Sequence, residues 1–299
     1  MYTINASKKN RSKELDDSSA IAIDLGVDNF ASIVSTSGKT LLLKGKDHKS
    51  RLLYYQHKIA KAKSKFDKDR LRCLKNKLKK AKKQADAKSI KQLDGQIKNF
   101  RSSGSTKRIR ALNRKVKNIN KTYSHKTSKA IAQFALQQRA SKITVGKNTN
   151  WKNKSRMSRK VNQVFCSMPH SMMIQYLAYK AKSLGISTVE HEESYTSKCD
   201  SLALESVEKH SEYLGKRVKR GLFQSSTGKM FNADINGALN IGRKGLKNVF
   251  TNDCIRRLRD IGQLFCPESV HDVDLFLHEV SELNMDSIGS KVNILDYSF

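Results

Sequence analysis

The acids of this chain are few, and their placement is where chemistry could begin. Asp24 is the only acid inside an apolar run made by Ile21, Ala22, Ile23 and Leu25. A buried carboxylate without a partner is costly, so a cation is one good candidate to face it. Asp28, four residues on, reads as loop surface. No Glu occurs between Glu14 and Glu190, and Glu192 and Glu193 follow closely. Asp234 lies in NADINGALN (232–240), where it could equally be an ordinary first-turn acid that stabilises a helix dipole. Carboxylates at the ends of adjacent elements can hold two divalent ions about 4 Å apart, which clamp the attacking and leaving oxygens of a phosphodiester. Mg2+ is hard and suits such oxygens. His170 and His191 lie near these acids and read as structural.

Such acids need elements to carry them. AIAIDL (20–25), FASIVS (30–35) and TLLL (40–43) are strand-like, with a turn signal at Ser37-Gly38. KITVG (142–146) and ISTVE (186–190) are two further strands. A helix is expected over 171–184, opened by Pro169-His170-Ser171 and stopped at Gly185. A last helix covers DINGALNIGRKGL (234–246). The order predicts an α/β layer on a mixed sheet, the order of the ribonuclease H-like nuclease fold. In that fold the fourth strand usually ends in Glu; here it ends in Gly146.

Charge supplies the second signal. The 299 residues hold 59 Lys+Arg against 27 Asp+Glu, a net charge of +32. Residues 49–129 alone contain 28 bases and only the acids Asp67, Asp69, Asp86 and Asp94, whereas residues 250–299 carry 9 acids and 4 bases. A surplus this large implies a polyanionic partner, nucleic acid first and an anionic membrane surface second. The basic segment has apolar residues at helical spacing, among them Leu52, Ile59, Phe66, Leu71, Leu74, Leu78, Ile109, Leu112 and Val116. With a turn at 101–106 it reads as a hairpin of two long helices. A solvated or coiled-coil face is the alternative, but so few acids balance the bases that the helices would repel themselves. Lys75, Lys79, Lys82, Arg108, Arg110, Arg114 and Lys117 are therefore expected to contact nucleic-acid backbone. No aromatic face supports a membrane role.

Other classes drop out. No run of 18 apolar residues occurs, and the polar start lacks a signal core. Cys73, Cys166, Cys199, Cys254 and Cys266 form no CxxC pair, which argues against a disulfide scaffold and a zinc ribbon. An intracellular site is expected: cytoplasm or nucleoid in a prokaryote, nucleus or viral factory otherwise.

Five segments together carry a resemblance. IAIDLGVDN (21–29), VGKNTNW (145–151), EESYTSKC (192–199), GKRVKRGLF (215–223) and NADINGALN (232–240) resemble the RuvC-like nuclease part of TnpB, the transposon-encoded RNA-guided DNA endonucleases related to type V CRISPR effectors and to Fanzor proteins. The resemblance implies an α/β, RuvC-like mixed sheet with a long basic helical-hairpin insertion. It implies a divalent-metal site, Mg2+ or Mn2+, held by the catalytic acids Asp24, Glu193 and Asp234. Glu193 is assigned because Glu193-Ser194-Tyr195-Thr196-Ser197 fits the E-x-x-T-S spacing of a subgroup, shared with Fanzors, whose Glu has left the fourth strand. Glu192 is one position off and would face the other way; Gly146 is expected to leave Glu193 room. Only Cys199 matches the family's four-Cys ribbon, so no zinc is expected. Lys152, Arg217 and Arg220, with Lys219 and Phe223, are expected on nucleic acid. Trp151 could stack on a base or simply pack.

The expected organisation is a short N-terminal remnant (1–18), a β-meander (19–46), the basic insertion (47–140), the rest of the nuclease domain (141–247) with a degenerate zinc-ribbon loop near 194–231, and an acidic extension (248–299). The wedge and recognition region of the family is expected to be largely missing. The expected partners are DNA and a guide RNA. The alternative is a truncated remnant that binds nucleic acid without cutting it.

Overall fold

The structure, a computed structural model, describes residues 15–100, 105–147 and 159–287, apart from the side chains at 159–161, 263 and 281–287. The chain divides into two compact units, Met1–Lys49 with Lys121–Phe299, and Ser50–Asn120.

The first unit is built on a six-stranded sheet. Strands β1 (Asp16–Leu25), β2 (Asn29–Ser35) and β3 (Thr40–Lys44) form an antiparallel meander. Strands β4 (Ala140–Gly146) and β5 (Ser187–His191) extend it in parallel beyond β1. A short strand β9 (Glu268–Val270) pairs in parallel with β3. The order β5-β4-β1-β2-β3-β9 is the expected mixed sheet with one added edge strand. Ala20, Ala22, Val34 and Leu42 lie on the face that packs with Ile235, Ala238 and Leu239 of a long helix. Because strand side chains alternate, Asp24 falls on that same face.

The second unit is helical and basic. It includes most of α1 (Lys46–Lys83), all of α2 (Ala87–Lys98) and the start of α3 (Lys107–Gln137). The expected pair of helices is thus three. Ala85 takes a left-handed φ of 53°, which stops α1. The Asp86 carboxylate then accepts the Ser89 N–H at 3.1 Å and starts α2. Aromatic rings here face cations rather than a core: Lys58 lies 4.3 Å from the Tyr54 ring centre and Lys115 5.6 Å from that of Tyr55. The turn expected at 101–106 falls mostly outside the described residues.

The rest of α3 belongs to the first unit, where Ala130, Ile131, Phe134 and Ala135 are buried. Two more helices, α4 (Arg159–Ser167) and α5 (His170–Ser183), precede β5. Helix α5 starts where expected, with Pro169 at the cap position and no side-chain cap bond, and turns off at Gly185, whose φ is 81°. A separate antiparallel ribbon of β6 (Lys216–Lys219), β7 (Leu222–Gln224) and β8 (Met230–Asn232) leads into α6 (Ala233–Gly245). The acidic end forms α7 (Asn252–Arg259), β9 and α8 (Val273–Ser287). No helix among the described residues is long and apolar enough to cross a membrane.

One packing detail carries a test. The Lys180 ammonium of α5 donates to the His125 carbonyl at 2.5 Å and to the Ser128 hydroxyl at 2.9 Å, both on α3. Burial, reinforced by Lys129, holds its pKa down at about 8 against 10.5. The folded state therefore releases this proton before the unfolded state does. Stability rises between about pH 8 and pH 10.5 as the unfolded chain becomes the only form that binds it. Lys180→Met is expected to lose that rise, read as the difference between the urea midpoints of the two proteins at pH 7.5 and pH 10.

Candidate active site

Asp24 is placed by β1, whose small neighbours Ala20 and Ala22 let α6 come close. The approach is tight enough to have a glycine requirement. A Cβ on Gly237 of α6 would lie 2.6 Å from an Asp24 carboxylate oxygen. On the neighbouring strand, a Cβ on Gly146 would lie 3.0 Å from a Glu193 carboxylate oxygen and 2.5 Å from Ile241 Cδ1. Gly146 follows Val145, which pairs with Ile23, so it stands beside Asp24. The sequence expectation that Gly146 makes room for Glu193 matches this geometry.

Glu193 is held by the turn that follows it. Its carbonyl accepts the Thr196 hydroxyl at 2.8 Å and the Thr196 N–H at 3.2 Å, across Tyr195 with φ 66°. Asn240 of α6 donates to the Thr196 carbonyl at 2.9 Å and the Cys199 carbonyl at 2.7 Å. The Thr of the E-x-x-T-S pattern thus fixes the backbone of its Glu. Glu192 instead accepts the Ser194 hydroxyl at 2.7 Å and is exposed. Glu190, the third acid of that run, pairs with Lys147.

Asp234 occupies the first turn of α6. Asn232 caps that helix, its side chain accepting the Asp234 N–H at 2.8 Å and the Ile235 N–H at 3.3 Å. The cap role open to Asp234 is therefore taken by Asn232, which frees the Asp234 carboxylate. It accepts Asn29 Nδ2 at 2.7 Å and Arg217 at 3.3 Å. Lys44 completes the chain by donating to Asn29 Oδ1 at 2.9 Å. Desolvation, then Lys46, lowers the Lys44 pKa, and Asp234 opposes this. Neither Asn29 nor Lys44 was assigned from sequence. The β2–β3 register shifts between Asn29 and Ala31, and that shift turns Asn29 to the α6 side.

The electrostatics centre on Asp24. It keeps some exposed surface, yet its carboxyl group lies deep among protein atoms. Desolvation, then the charges of Glu193 and Asp234, pushes its pKa well above 3.8. Desolvation also raises that of Glu193. Asp24 therefore senses both of the other expected acids, from elements widely separated in sequence. Three carboxylates are a donor set suited to a hard divalent ion. Among the described residues, however, no three His, Cys, Asp or Glu side chains converge on a single point. Asp234 is turned to Asn29 and Arg217, and would have to swing to share an ion.

The arginines have protein partners in the structure. Arg217 and Arg220, expected on nucleic acid, are ion-paired with Asp234 and Asp28 at the rim of the site. The ribbon carries them there. Asp28, expected as free loop surface, also accepts Lys49 at 2.8 Å; that bond first, with the charges of Lys49 and Arg220, lowers its pKa. The side chains of both arginines remain exposed, 52% and 86%, so each pair is worth about 0–1 kcal/mol. Lys75, Lys79, Lys82, Arg108, Arg110, Arg114 and Lys117 are all exposed on the helices of the second unit. Lys152 and Trp151 lie outside the described residues. His170 Nε2 donates to the Gly26 carbonyl, 2.8 Å away, and the ring packs on Phe30 and Phe165. That is a structural role next to the loop that follows Asp24.

Two family models match the chain. Residues 3–102 match "Probable transposase", OrfB of IS605, and residues 170–241 match the Cas12f1-like TNB domain. Both matches support the TnpB-type resemblance that the sequence motifs carry. No curated protein matches it. Among solved structures, a Cas12f1–sgRNA–target DNA complex is similar at 19% identity and a TM-score of 0.48, over 77% of this chain and 51% of that one. A CRISPR-Cas12f ternary complex is similar at 18% identity and 0.47, over 76% and 39%. The chain thus spans about half or less of the length of these solved relatives.

Asp24 gives a signed prediction. An acid whose folded pKa is raised destabilises the fold above its unfolded pKa and ceases to do so as pH falls toward that value. Asp24→Asn is expected to stabilise the protein by about 1–2 kcal/mol at pH 7, a range typical of relieved active-site strain. The gain should shrink toward pH 4, read by urea denaturation at both pH values. Gly237→Ala should do the opposite of what helix propensity implies. An exposed site would gain about 1 kcal/mol, but here the methyl group strikes the Asp24 carboxylate and the melting temperature falls.

Proposed function

We propose that this chain is the nuclease part of an RNA-guided DNA endonuclease that depends on a divalent metal, with DNA and a guide RNA as partners. The observation that carries this reading is the electrostatic coupling of Asp24 to Glu193 and Asp234, from β1, the turn after β5 and the start of α6. Hydrolytic metal sites of this kind gather carboxylates from separate elements, and nothing else in the fold explains burying Asp24 among like charges. The second carboxylate is Glu193, the relocated position shared with Fanzors.

When bound, Mg2+ or Mn2+ would supply Lewis-acid stabilisation of the phosphodiester oxygens. The residues of the chain have simpler tasks. Asp24, Glu193 and Asp234 would hold the ions. Lys44 and Asn29 orient Asp234, and the Thr196 turn orients Glu193. Arg217 and Arg220 exchange weak carboxylate pairs for phosphate contacts when a strand arrives. The exposed bases of the helical unit contact nucleic-acid backbone.

A second reading is favoured by one observation. Asp234 is bonded to Asn29 and Arg217 rather than gathered with the other two acids. In a binding protein without cleavage that arrangement would persist in the complex.

Cleavage of target DNA by the protein purified with its native flanking transcript separates the two. Mg2+-dependent cutting, lost with EDTA, in Asp24→Ala and in Glu193→Gln, but retained in Glu192→Gln, is the expected result. Binding of RNA and DNA with no cutting under any metal supports the second reading. Cutting by Glu193→Gln with Glu192→Gln inactive would move the role to the neighbour. Replacing Lys75, Lys79 and Lys82 together by Gln should weaken binding evenly across sequences. It should also reduce the slope of log affinity against log salt by up to about three, measured by anisotropy titrations over a range of NaCl.

A further inference from the structure

The ribbon β6–β8 is too small to hold itself. Its three strands have 4, 3 and 3 residues, and β6 is exposed throughout. Its apolar content is little more than Phe223 against Phe231, with ring centres 5.8 Å apart. Sheets of this size need a staple, usually a disulfide or a metal. Cys199 is free, and no metal-ligand group forms here among the described residues.

A carboxylate stands at the place a staple would occupy. Asp200 is fully buried and accepts five hydrogen bonds. Its Oδ1 takes the N–H groups of Leu202 and Ala203, each at 3.2 Å. Its Oδ2 takes the Ser225 hydroxyl at 2.8 Å, the Ser226 N–H at 2.7 Å and the Ser226 hydroxyl at 3.2 Å. One oxygen thus fastens the 200–203 turn and the other the turn that follows β7. A second acid extends the network: Glu205 accepts the Asp200 N–H at 2.6 Å and the Leu214 N–H at 3.0 Å, just before β6. Arg243 donates to the Glu205 carbonyl at 2.8 Å and lies within electrostatic reach of both acids. Helix α6 is tied to the same turn: Asn236 donates to the Cys199 carbonyl at 2.9 Å and accepts the Ser201 N–H at 3.0 Å.

We propose that Asp200 fastens the ribbon as a structural metal would, with no metal needed, and so positions Arg217 beside Asp234. The fastening stands on the hydrogen bonds alone; the positioning rests on the nuclease reading. Charge-assisted bonds to a buried carboxylate are strong and short in reach. Their geometry is also unforgiving. An Asn at 200 must direct its NH2 group at one set of donors. Toward Leu202 and Ala203 it would orphan two backbone N–H groups. Toward the serines it would orphan one, because the hydroxyls can turn round and accept.

Amide hydrogen exchange on the full chain tests the fastening. Asp200→Asn is expected to raise exchange at Ser226 at least tenfold while Leu202 and Ala203 stay protected. Asp200→Ala should expose all three. Elemental analysis should find no stoichiometric zinc, and a zinc-selective chelator should leave the pattern unchanged. Stoichiometric zinc whose removal exposes these amides, or unchanged exchange in Asp200→Ala, would overturn the proposal. Should neither variant fold, Ser225→Ala removes one bond to the same oxygen, and unchanged exchange at Ser226 in it counts against the clasp.

Mn2+ calorimetry tests the positioning. A guanidinium beside Asp234 opposes a cation, so Arg217→Gln should tighten Mn2+ binding several-fold. Asp200→Asn should tighten it too, and the double variant should bind no more tightly than Arg217→Gln alone. Additive effects would mean that Asp200 does not act through Arg217. Absence of Mn2+ binding in the unaltered protein would overturn the positioning together with the nuclease reading, and leave the exchange result to decide the fastening by itself.

Discussion

Burying the Asp24 carboxylate against α6 sets the terms for everything around it. The group loses water, and it does so within reach of Glu193 and Asp234, so its charged form is penalised twice. A chain selected for stability alone would place an Asn or Ala there. The surrounding structure nevertheless maintains the arrangement at several points. Ala20 and Ala22 leave room for the helix above β1, and Gly237 leaves room for the carboxyl group. Asn232 takes the capping duty from Asp234. Such agreement among independent local choices, all tolerating one unfavourable charge, is the pattern expected where function is maintained at a cost in stability.

The positive charge is arranged in two ways with different consequences. In the helical unit it is exposed and nearly unopposed, so it acts at a distance and draws in a polyanion whatever its sequence. At the rim of the site it is paired, Arg217 with Asp234 and Arg220 with Asp28. Pairs so exposed are weak, and a phosphate competes for each guanidinium on favourable terms because it offers bidentate oxygens. Under the proposed function, a phosphate that took Arg217 would free Asp234 in the same exchange.

Much of the first unit was legible in the sequence because its strands alternate or run wholly apolar between turn residues. Asp24 stood out as the one acid in such a run. Other features were hidden for physical reasons. The break between α1 and α2 depends on a left-handed Ala85 that propensity disfavours. The ribbon strands have only three or four residues, too few to show an alternating apolar pattern, and β9 has three residues. Asn29 was quoted within a motif but not assigned, because facing depends on parity and a register shift of one residue reverses it. Nothing in the sequence marks Asp200; its importance appears only when the 200–203 and 225–226 turns are seen to meet. Glu193 was chosen over Glu190 and Glu192 through family resemblance, and periodicity offered nothing to separate them.

The position of Glu193 and the glycines of this site are best understood as one solution. A Glu on the last residue of β4 would need a Cβ where Gly146 has none, 2.5 Å from Ile241 Cδ1. The end of the Ile241 side chain would have to turn aside to admit it. Helix α6 lies as close elsewhere, for it brings Gly237 onto Asp24, and Gly245 close enough that a Cβ there would lie 2.4 Å from the Thr144 hydroxyl. Glu193 stands beyond the end of β5, where the chain turns back, and its carboxylate reaches the space beside Gly146. The Thr196 turn is the device that turns it back, and Asn240 of the same helix holds that turn. The same helix thus crowds the end of β4 and, through Asn240, holds the turn that carries Glu193.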